Sequence, residues 1–144
     1  MDQVFKWVEK NIGSTFSSPR EKEFGTRTLD FQIMGIEDEK ISIKFEGRKY
    51  DALPLKFWMI QRTLEHLRKN KGTFVPIGAR IGPPYIPNSV EEAIWMDPLP
   101  ENISKYKVAP HICDILELAE VLEFGPAFRE GSRRKLQGVR ARNN

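Results

Sequence analysis

The sequence predicts an α+β fold, in which a small antiparallel sheet packs on helices and is followed by a C-terminal helix and a basic hairpin. Three observations indicate this class. In two segments, apolar residues recur at helical spacing. In the region between these segments, apolar and polar residues alternate. The end of the chain is polar and rich in arginine. With 144 residues, 40% of them hydrophobic, the chain can bury a core without a disulfide or a metal, and a single domain over 1–144 is expected.

The first element is a predicted helix over residues 2–12, where Val4 and Val8 fall on one face. Asp2 is its expected N-cap, because a carboxylate can accept hydrogen bonds from the free amides of the first turn. The segment 14–27 that follows consists mainly of Ser, Thr, Pro and charged residues. It is therefore predicted to be a loop.

A three-stranded antiparallel meander is predicted next, and a fourth strand could complete it. Apolar and polar residues alternate in 29–34 and again in 41–45, and a polar turn at 37–40 separates the two runs. A second turn at 46–47 leads to a third apolar run at 50–53, which includes Tyr50. One face of this sheet is expected to pack on the helices.

A central helix is predicted over 54–70. Pro54 suits a first helical turn, where its missing N–H costs nothing, and Ile60 and Leu64 belong to an apolar stripe that runs along the segment. After a short extended run, the two glycines and three prolines of 78–87 predict a structured loop, because neighbouring prolines exclude both a helix and a central strand.

The C-terminal third begins with a capping box, in which Glu92 is expected to reach back to the amide of Ser89 and start a short helix. The segment 97–110 contains three prolines and is the candidate for a sub-domain boundary. Pro110 then opens another helix, whose apolar stripe is predicted to continue through Leu122. A hairpin with its turn at residues 130–132 is predicted to end the chain.

Positive charge is concentrated in the segment 129–144, which holds six cations against one anion, a net charge of +5, whereas the whole chain carries +3. Such asymmetry is typical of a segment that binds a polyanion, and five of the six cations are arginine, which hydrogen-bonds phosphate and guanine better than lysine does. Nucleic acid, with DNA favoured, is the predicted partner. The predicted phosphate-binding residues are Arg129, Arg133, Arg134, Lys135, Arg140 and Arg142.

Two residues of the proline-rich loop, Arg80 and Tyr85, are predicted to contact bases. Tyr85 directly follows Pro83 and Pro84, and an exposed ring on so rigid a loop could stack on a base. An alternative stays open, in which the Tyr85 ring only covers the start of the next helix.

The order of elements resembles two kinds of DNA-recognition module. A helix followed by a basic hairpin over 110–140 resembles the last helix and wing of winged-helix modules. Gly13, Phe16, Phe24 and the helix start at Asn88, together with the strands and the central helix, resemble the small helix-and-sheet modules found with restriction endonucleases. The resemblance implies DNA binding in restriction-modification. The chain departs from winged-helix modules in an expected acidic outer face of the C-terminal helix, formed by Asp114, Glu117, Glu120 and Glu123. It departs from the helix-and-sheet modules in Glu91 and Glu92 of the short helix, where a DNA-facing helix would prefer neutral or basic residues.

Two other function classes compete with a non-catalytic nucleic-acid-binding module. The first is a protein-interaction or assembly subunit whose basic tail binds an acidic partner. The second is a metal-dependent nuclease using Asp30, Glu39 and Lys40, although adjacent strand residues such as Glu39 and Lys40 point to opposite faces. We predict no catalytic residue, no metal ligand and no cofactor: His66 and His111 lie on different predicted helices.

The lone Cys113 is expected to be a small buried residue, because one cysteine cannot form an internal disulfide. No apolar run approaches the length of a membrane span, and the first residues lack the features of a secretory signal. We therefore expect a cytoplasmic protein, or a piece of a larger cytoplasmic chain, with no membrane partner.

Overall fold

The computed structural model describes residues 1–47, 52–79, 82–129 and 131–143, and it confirms the α+β class. Helices accompany two antiparallel sheets, one of four strands and one of three. The elements in chain order are α1 (Asp2–Lys10), β1 (Thr15–Phe16), α2 (Pro19–Phe24), β2 (Phe31–Glu37), β3 (Lys40–Phe45), β4 (Leu53–Lys56), α3 (Phe57–Lys69), β5 (Val75–Pro76), α4 (Val90–Ile94), α5 (Ala109–Leu118), β6 (Leu122–Phe128) and β7 (Lys135–Ala141).

The four-stranded sheet has the order β1-β2-β3-β4, so each strand pairs with its neighbour along the chain. The β2–β3 hairpin turns at Asp38 and Glu39, whose φ angles of 50° and 57° are those that a tight two-residue hairpin turn requires. Ile33, Ile41 and Ile43 are buried on one face of this hairpin. The predicted hairpin is therefore confirmed.

The strand β4 includes Pro54, which the sequence assigned to the first turn of a helix. Pro54 instead pairs with Ser42 on the edge of the sheet, where a residue without an N–H is tolerated. The helix α3 begins only at Phe57. Tyr50, expected in the same strand, lies outside the described residues.

The buried face of α3 is rotated from the predicted stripe. Met59, Ile60, Thr63 and Leu67 are buried, whereas Leu64 is only half-buried. Thr63 can occupy this face because its hydroxyl donates a hydrogen bond of 2.9 Å to the Met59 carbonyl. In the described ranges, no helix is long and apolar enough to cross a membrane.

Two predictions for the N-terminal region are wrong. Asp2 lies in the first turn of α1 rather than at the N-cap, which is Met1. The predicted loop after α1 contains β1 and α2. The helix α2 starts where the Ser18 hydroxyl accepts a hydrogen bond from the Arg20 amide at 3.2 Å, and it ends at Gly25, which has a φ of 71°.

The predicted capping box is half correct. The Ser89 hydroxyl accepts a hydrogen bond from the Glu92 amide at 3.1 Å, as expected. The Glu92 carboxylate, however, accepts from the amide of Asn88 at 3.0 Å, because the Ser89 amide already donates to the Ile86 carbonyl. The helix that follows is short and ends at Ile94.

The C-terminal helix is shorter than predicted. α5 ends at Leu118, and Glu120 takes a left-handed conformation with a φ of 61°. The Val121 amide then donates to the Leu116 carbonyl at 2.9 Å, a bond typical of a helix terminus. Leu122, expected on the stripe of this helix, is the first residue of a strand.

The predicted terminal hairpin is confirmed and is longer than expected. β6 and β7 pair from Leu122 opposite Ala141 to Phe128 opposite Lys135. The three-stranded sheet has the order β5-β7-β6, so β7 is its middle strand. The basic end of the chain is therefore an integral part of a sheet rather than a tail added to the domain.

Close packing fixes the base of this hairpin. Val139 is fully buried, and Gly138 beside it is also buried. A Cβ atom on Gly138 would lie 2.6 Å from the Cβ of Ala127 and 2.8 Å from the carbonyl oxygen of Gly125. Only glycine fits there, because real Cβ contacts are not this short.

The proline-rich segment 97–110 is packed against β4 and the start of α3. The Tyr106 hydroxyl donates to the Pro54 carbonyl at 2.5 Å. The Glu101 carboxylate accepts from the Trp58 indole at 2.8 Å and also pairs with Lys56. This irregular segment is therefore held by side-chain contacts with elements distant in sequence.

Candidate nucleic-acid interface

The tip of the β6–β7 hairpin carries four exposed cations, which we call the tip cluster: Arg129, Arg133, Arg134 and Lys135. Two hydrogen bonds of Ser132 contribute to the turn between the strands. The Ser132 amide donates to the Arg129 carbonyl at 3.0 Å, and the Ser132 hydroxyl accepts from the Arg134 amide at 3.2 Å. Over the described ranges, no side chain of the tip cluster forms an ion pair.

The hairpin that carries the tip cluster is anchored at its base by the three-stranded sheet. β5 pairs with β7 at Val139 and Gly138, and the Ile77 amide donates to the Gln137 carbonyl at 2.9 Å. Beyond Gln137, β7 pairs only with β6 in the described part of the chain. The cations thus stand at the end of a two-stranded ribbon whose base is fixed in the core.

Phe128 is an exposed aromatic residue at the same tip, and the sequence reasoning missed it. Its side chain is 51% exposed, and it lies directly opposite Lys135 in the strand register. The sequence feature that could have revealed Phe128 is the alternation along β6, in which Ala127 is buried and its two neighbours are exposed. This alternation can be recognised only once the segment is known to be a strand. An exposed ring among cations is typical of surfaces on which unpaired bases stack.

A groove of about 510 Å³ lies between the hairpin tip and the loop that contains Ile86. Its lining includes the cations Arg129 and Arg134 and the apolar residues Ile86 and Leu136. The loop and the hairpin tip, which are about forty residues apart in sequence, therefore form one continuous surface.

Tyr85, predicted to contact a base, is half-buried and packs against the hydrophobic core. Its hydroxyl is buried without a hydrogen-bond partner in the described chain, and the Lys105 ammonium lies 5.5 Å from its ring centroid. These contacts favour the alternative in which Tyr85 covers the structure beneath it, and its contact with a base stays a prediction. Arg80 lies outside the described residues.

Arg140 and Arg142, the other two predicted phosphate contacts, are engaged within the fold. The Arg140 guanidinium bonds Glu123 at 2.5 Å and stacks on the Phe74 ring at 4.2 Å from its centroid. Arg142 donates to the Leu122 carbonyl at 3.1 Å, and it lies 3.7 Å from a carboxylate oxygen of Glu117. These two arginines form internal pairs at the base of the hairpin, and their contact with phosphate stays a prediction.

The acidic outer face expected on the C-terminal helix is not formed as predicted. Asp114 is buried and accepts two hydrogen bonds from Arg20, at 2.9 and 3.0 Å. Burial raises the pKa of Asp114, and the paired guanidinium opposes that rise. Glu117 pairs with Arg142, and Glu123 lies on β6 rather than on the helix. Most of the charge expected to repel DNA is therefore compensated.

The groups considered for catalysis are dispersed. Among the described residues there is no group of three or more His, Cys, Asp or Glu side chains that could hold a metal ion. Cys113 is buried, as predicted, and burial raises the pKa of its thiol. Burial lowers the pKa of His111 to about 3, and His66 contacts the Asn88 carbonyl at 2.9 Å.

No protein-family model, curated protein or solved structure matches this chain. The resemblance to restriction-endonuclease modules accordingly stays a prediction, and the function must be argued from the surface itself.

Proposed function

We propose that this chain is a nucleic-acid-binding module, with DNA favoured, that binds phosphates through the tip cluster and has no catalysis of its own. The observation that carries the proposal is the contrast in pairing along the hairpin. Arg140 and Arg142 are held by carboxylates, whereas Arg129, Arg133, Arg134 and Lys135 are exposed without an ion pair in the described chain. Only unpaired cations can release counterions from a polyanion without first breaking an internal contact.

The tip cluster sets the expected strength of the electrostatic contribution. Four neutralised phosphates give a slope of log affinity against log salt of about −3.6 for a duplex and about −2.8 for a single strand. Affinity for a duplex should therefore fall about 150-fold between about 50 and 200 mM salt. Phe128 can add stacking on an unpaired base, worth about 1–3 kcal/mol, which would favour single strands or frayed ends.

A second candidate, an acidic protein segment, is favoured by the groove beside the tip. Ile86 and Leu136 place apolar surface next to the guanidinium groups of Arg129 and Arg134. A peptide that alternates acidic and apolar residues would fit this pattern, whereas a phosphate backbone would use only the cations.

The test is a charge-matched comparison. One variant replaces the tip cluster (R129Q, R133Q, R134Q and K135Q), and the control replaces four exposed cations elsewhere (K6Q, K10Q, K44Q and R68Q). Binding of fluorescent 20-mers, single-stranded and duplex, is measured by anisotropy at several salt concentrations. The tip variant should lose most of the salt slope, and the control should keep it, because both lose the same net charge but only one loses the site.

Two results would contradict the proposal. The first is a salt slope that falls equally in the tip variant and the control, which would mean that only net charge matters. The second is a lack of binding by the intact chain at about 20 mM salt, where electrostatic binding is strongest. Binding of an acidic peptide with apolar residues, lost in the tip variant, would then favour the second candidate.

A further inference from the structure

A pocket of about 460 Å³ opens on another part of the molecule, between the four-stranded sheet, α2 and the first turns of α5. Its volume falls in the range of small-molecule sites. None of the residues of the tip cluster lines it. The pocket therefore raises a question separate from that of nucleic-acid binding.

One wall of this pocket is apolar. Ile43, Phe45 and Leu53 from β3 and β4 line it, and the His111 ring lies against Phe45 with 4.9 Å between ring centroids. Burial lowers the pKa of His111 to about 3, so the imidazole is neutral at pH 7 and adds to the wall rather than to the charge. This wall suits the flat or branched apolar body of a ligand.

The floor of the pocket offers hydrogen-bond donors. Arg20 is 7% exposed and binds Asp114 through Nε and Nη2, which leaves Nη1 outside that pair. Thr28 also lines the pocket, and its hydroxyl is buried without a hydrogen-bond partner in the described chain. A buried hydroxyl without a partner costs stability unless something else supplies the hydrogen bond.

The rim of the pocket is positive. The exposed side chains of Arg27 and Lys107 line it, and with Arg20 they outnumber the one carboxylate among the described lining residues, that of Asp114. Asp114 is moreover already bound to Arg20. The net charge facing a ligand is therefore positive, and an anionic group is the complementary one.

From this juxtaposition we propose that the pocket binds a small organic anion, with an apolar ring against Phe45 and a carboxylate or phosphate held by Arg27, Lys107 and the Thr28 hydroxyl. The apolar wall and the donors lie within one pocket, so a single compact molecule can use both. Neither part is sufficient alone: an inorganic anion leaves the wall exposed, and a neutral ring leaves the donors unpaired.

The first experiment titrates the intact chain with phenyl phosphate, followed by ¹H–¹⁵N and methyl NMR. Benzyl alcohol and inorganic phosphate serve as probes that each lack one half of the proposed ligand. Phenyl phosphate should give saturable shifts at Thr28, Phe45 and His111, with an affinity at least about tenfold above that of either half-probe. Shifts that do not saturate by about 20 mM, or equal affinities for the three probes, would overturn the proposal.

The second experiment uses variants. K107Q and R27Q should each weaken phenyl phosphate binding about three- to tenfold, whereas K44Q, an exposed cation outside the pocket, should leave it unchanged. T28V should weaken binding by a similar factor and raise the thermal midpoint of the free protein, because it removes an unpaired buried hydroxyl. Equal affinity of K107Q and K44Q would contradict the assignment.

A last comparison separates this proposal from the proposed function. The variant that replaces the tip cluster by glutamine should bind phenyl phosphate as the intact chain does, because its four substitutions lie outside the pocket. Loss of phenyl phosphate binding in that variant would place the anion at the hairpin tip and overturn the assignment to the pocket. Conversely, K107Q and R27Q should keep most of the salt slope for nucleic acid.

Discussion

The two ends of the β6–β7 hairpin carry the same kind of side chain in opposite electrostatic settings. At the base, the side chains of Arg140 and Arg142 are 38% and 36% exposed and pair with Glu123 and Glu117. At the tip, the cations of the tip cluster are exposed and make no ion pair in the described chain. A run of positive charge in a sequence therefore contains two populations, one that stabilises the fold and one that is available to a ligand.

The interior provides a third setting for the same side chain. Arg20 is buried, and its two hydrogen bonds to Asp114 join α2 to α5 across ninety-four residues of sequence. From the interior to the base to the tip, exposure rises and internal pairing falls. Loss of a cation or its partner should therefore affect stability most in the interior, and ligand binding most at the tip.

The largest effect that this comparison predicts is the loss of folding on deletion of residues 135–144. β7 is the middle strand of its sheet, and it carries the buried Val139 and the closely packed Gly138. We expect no cooperative thermal transition by circular dichroism, because both neighbouring strands lose their partner. The control is the tip-cluster variant, whose midpoint should change by only a few degrees. A truncated chain with a normal midpoint would show that the hairpin base is not part of the core.

The next effect in size comes from breaking the interior pair. Asp114→Asn leaves Arg20 buried beside a neutral partner, and we expect a loss of about 3–5 kcal/mol in the free energy of unfolding. The control is Glu123→Gln at the hairpin base, where the pair is more than a third exposed and should contribute about 0–1 kcal/mol. Urea denaturation measures both. Equal losses in the two variants would remove the distinction between interior and base.

A third prediction concerns pH, and it depends on Glu91. This carboxylate is buried, accepts from the Ala109 amide and the Trp95 indole, and has its pKa raised to about 7, mainly by burial. Because the folded state holds the proton more tightly than the unfolded state, Glu91 costs stability as pH rises from about 4.5 to 7. The free energy of unfolding of Glu91→Gln, relative to that of the intact chain, should therefore rise by up to about 3 kcal/mol as pH rises from about 4.5 to 8.

The experiment compares unfolding free energies of the two proteins at each pH. His111 acts in the opposite sense, since its pKa is lowered to about 3 and its contribution to stability grows as pH rises from about 3 to 6.5. Subtracting the two proteins cancels this contribution. Glu9→Gln, which removes an exposed carboxylate, serves as the control, and its pH dependence is subtracted from that of Glu91→Gln. A flat remaining difference for Glu91→Gln would refute the raised pKa.

How much of this molecule could be predicted from sequence depends on how local each signal is. The turn at Asp38 and Glu39 and the cap at Ser89 involve neighbouring residues, and both were predicted. The helix α2 has a local cap at Ser18 but no apolar stripe, so periodicity missed it. Leu122 continues the helical spacing of the preceding stripe, and only the left-handed Glu120 and pairing with β7 make it a strand.

The candidate site shows the same limit. The sequence placed six cations in one segment, but the ion pairs that engage two of them join residues 17 and 25 positions apart. No local pattern reports those pairs. Phe128 is exposed through the register of a strand that was predicted to belong partly to a helix. The composition therefore identified the charged segment, and only the tertiary structure shows which of its cations are paired within the fold.

The smallest predicted effect is the one that tests the comparison most directly. Replacing Arg140 and Arg142 together by glutamine should lower the free energy of unfolding by about 1–2 kcal/mol, because two half-exposed ion pairs and the contact of Arg140 with the Phe74 ring are lost. The salt slope of nucleic-acid binding should stay within about one unit of that of the intact chain, since these arginines are engaged internally.

The matched variant replaces Arg129 and Arg134 together by glutamine and removes the same charge. It should make the salt slope about two units less steep, and it should change the free energy of unfolding by no more than about 0.5 kcal/mol per site. If both double variants changed the slope equally, the internal pairs would open on binding, and all six cations of the segment would belong to the interface.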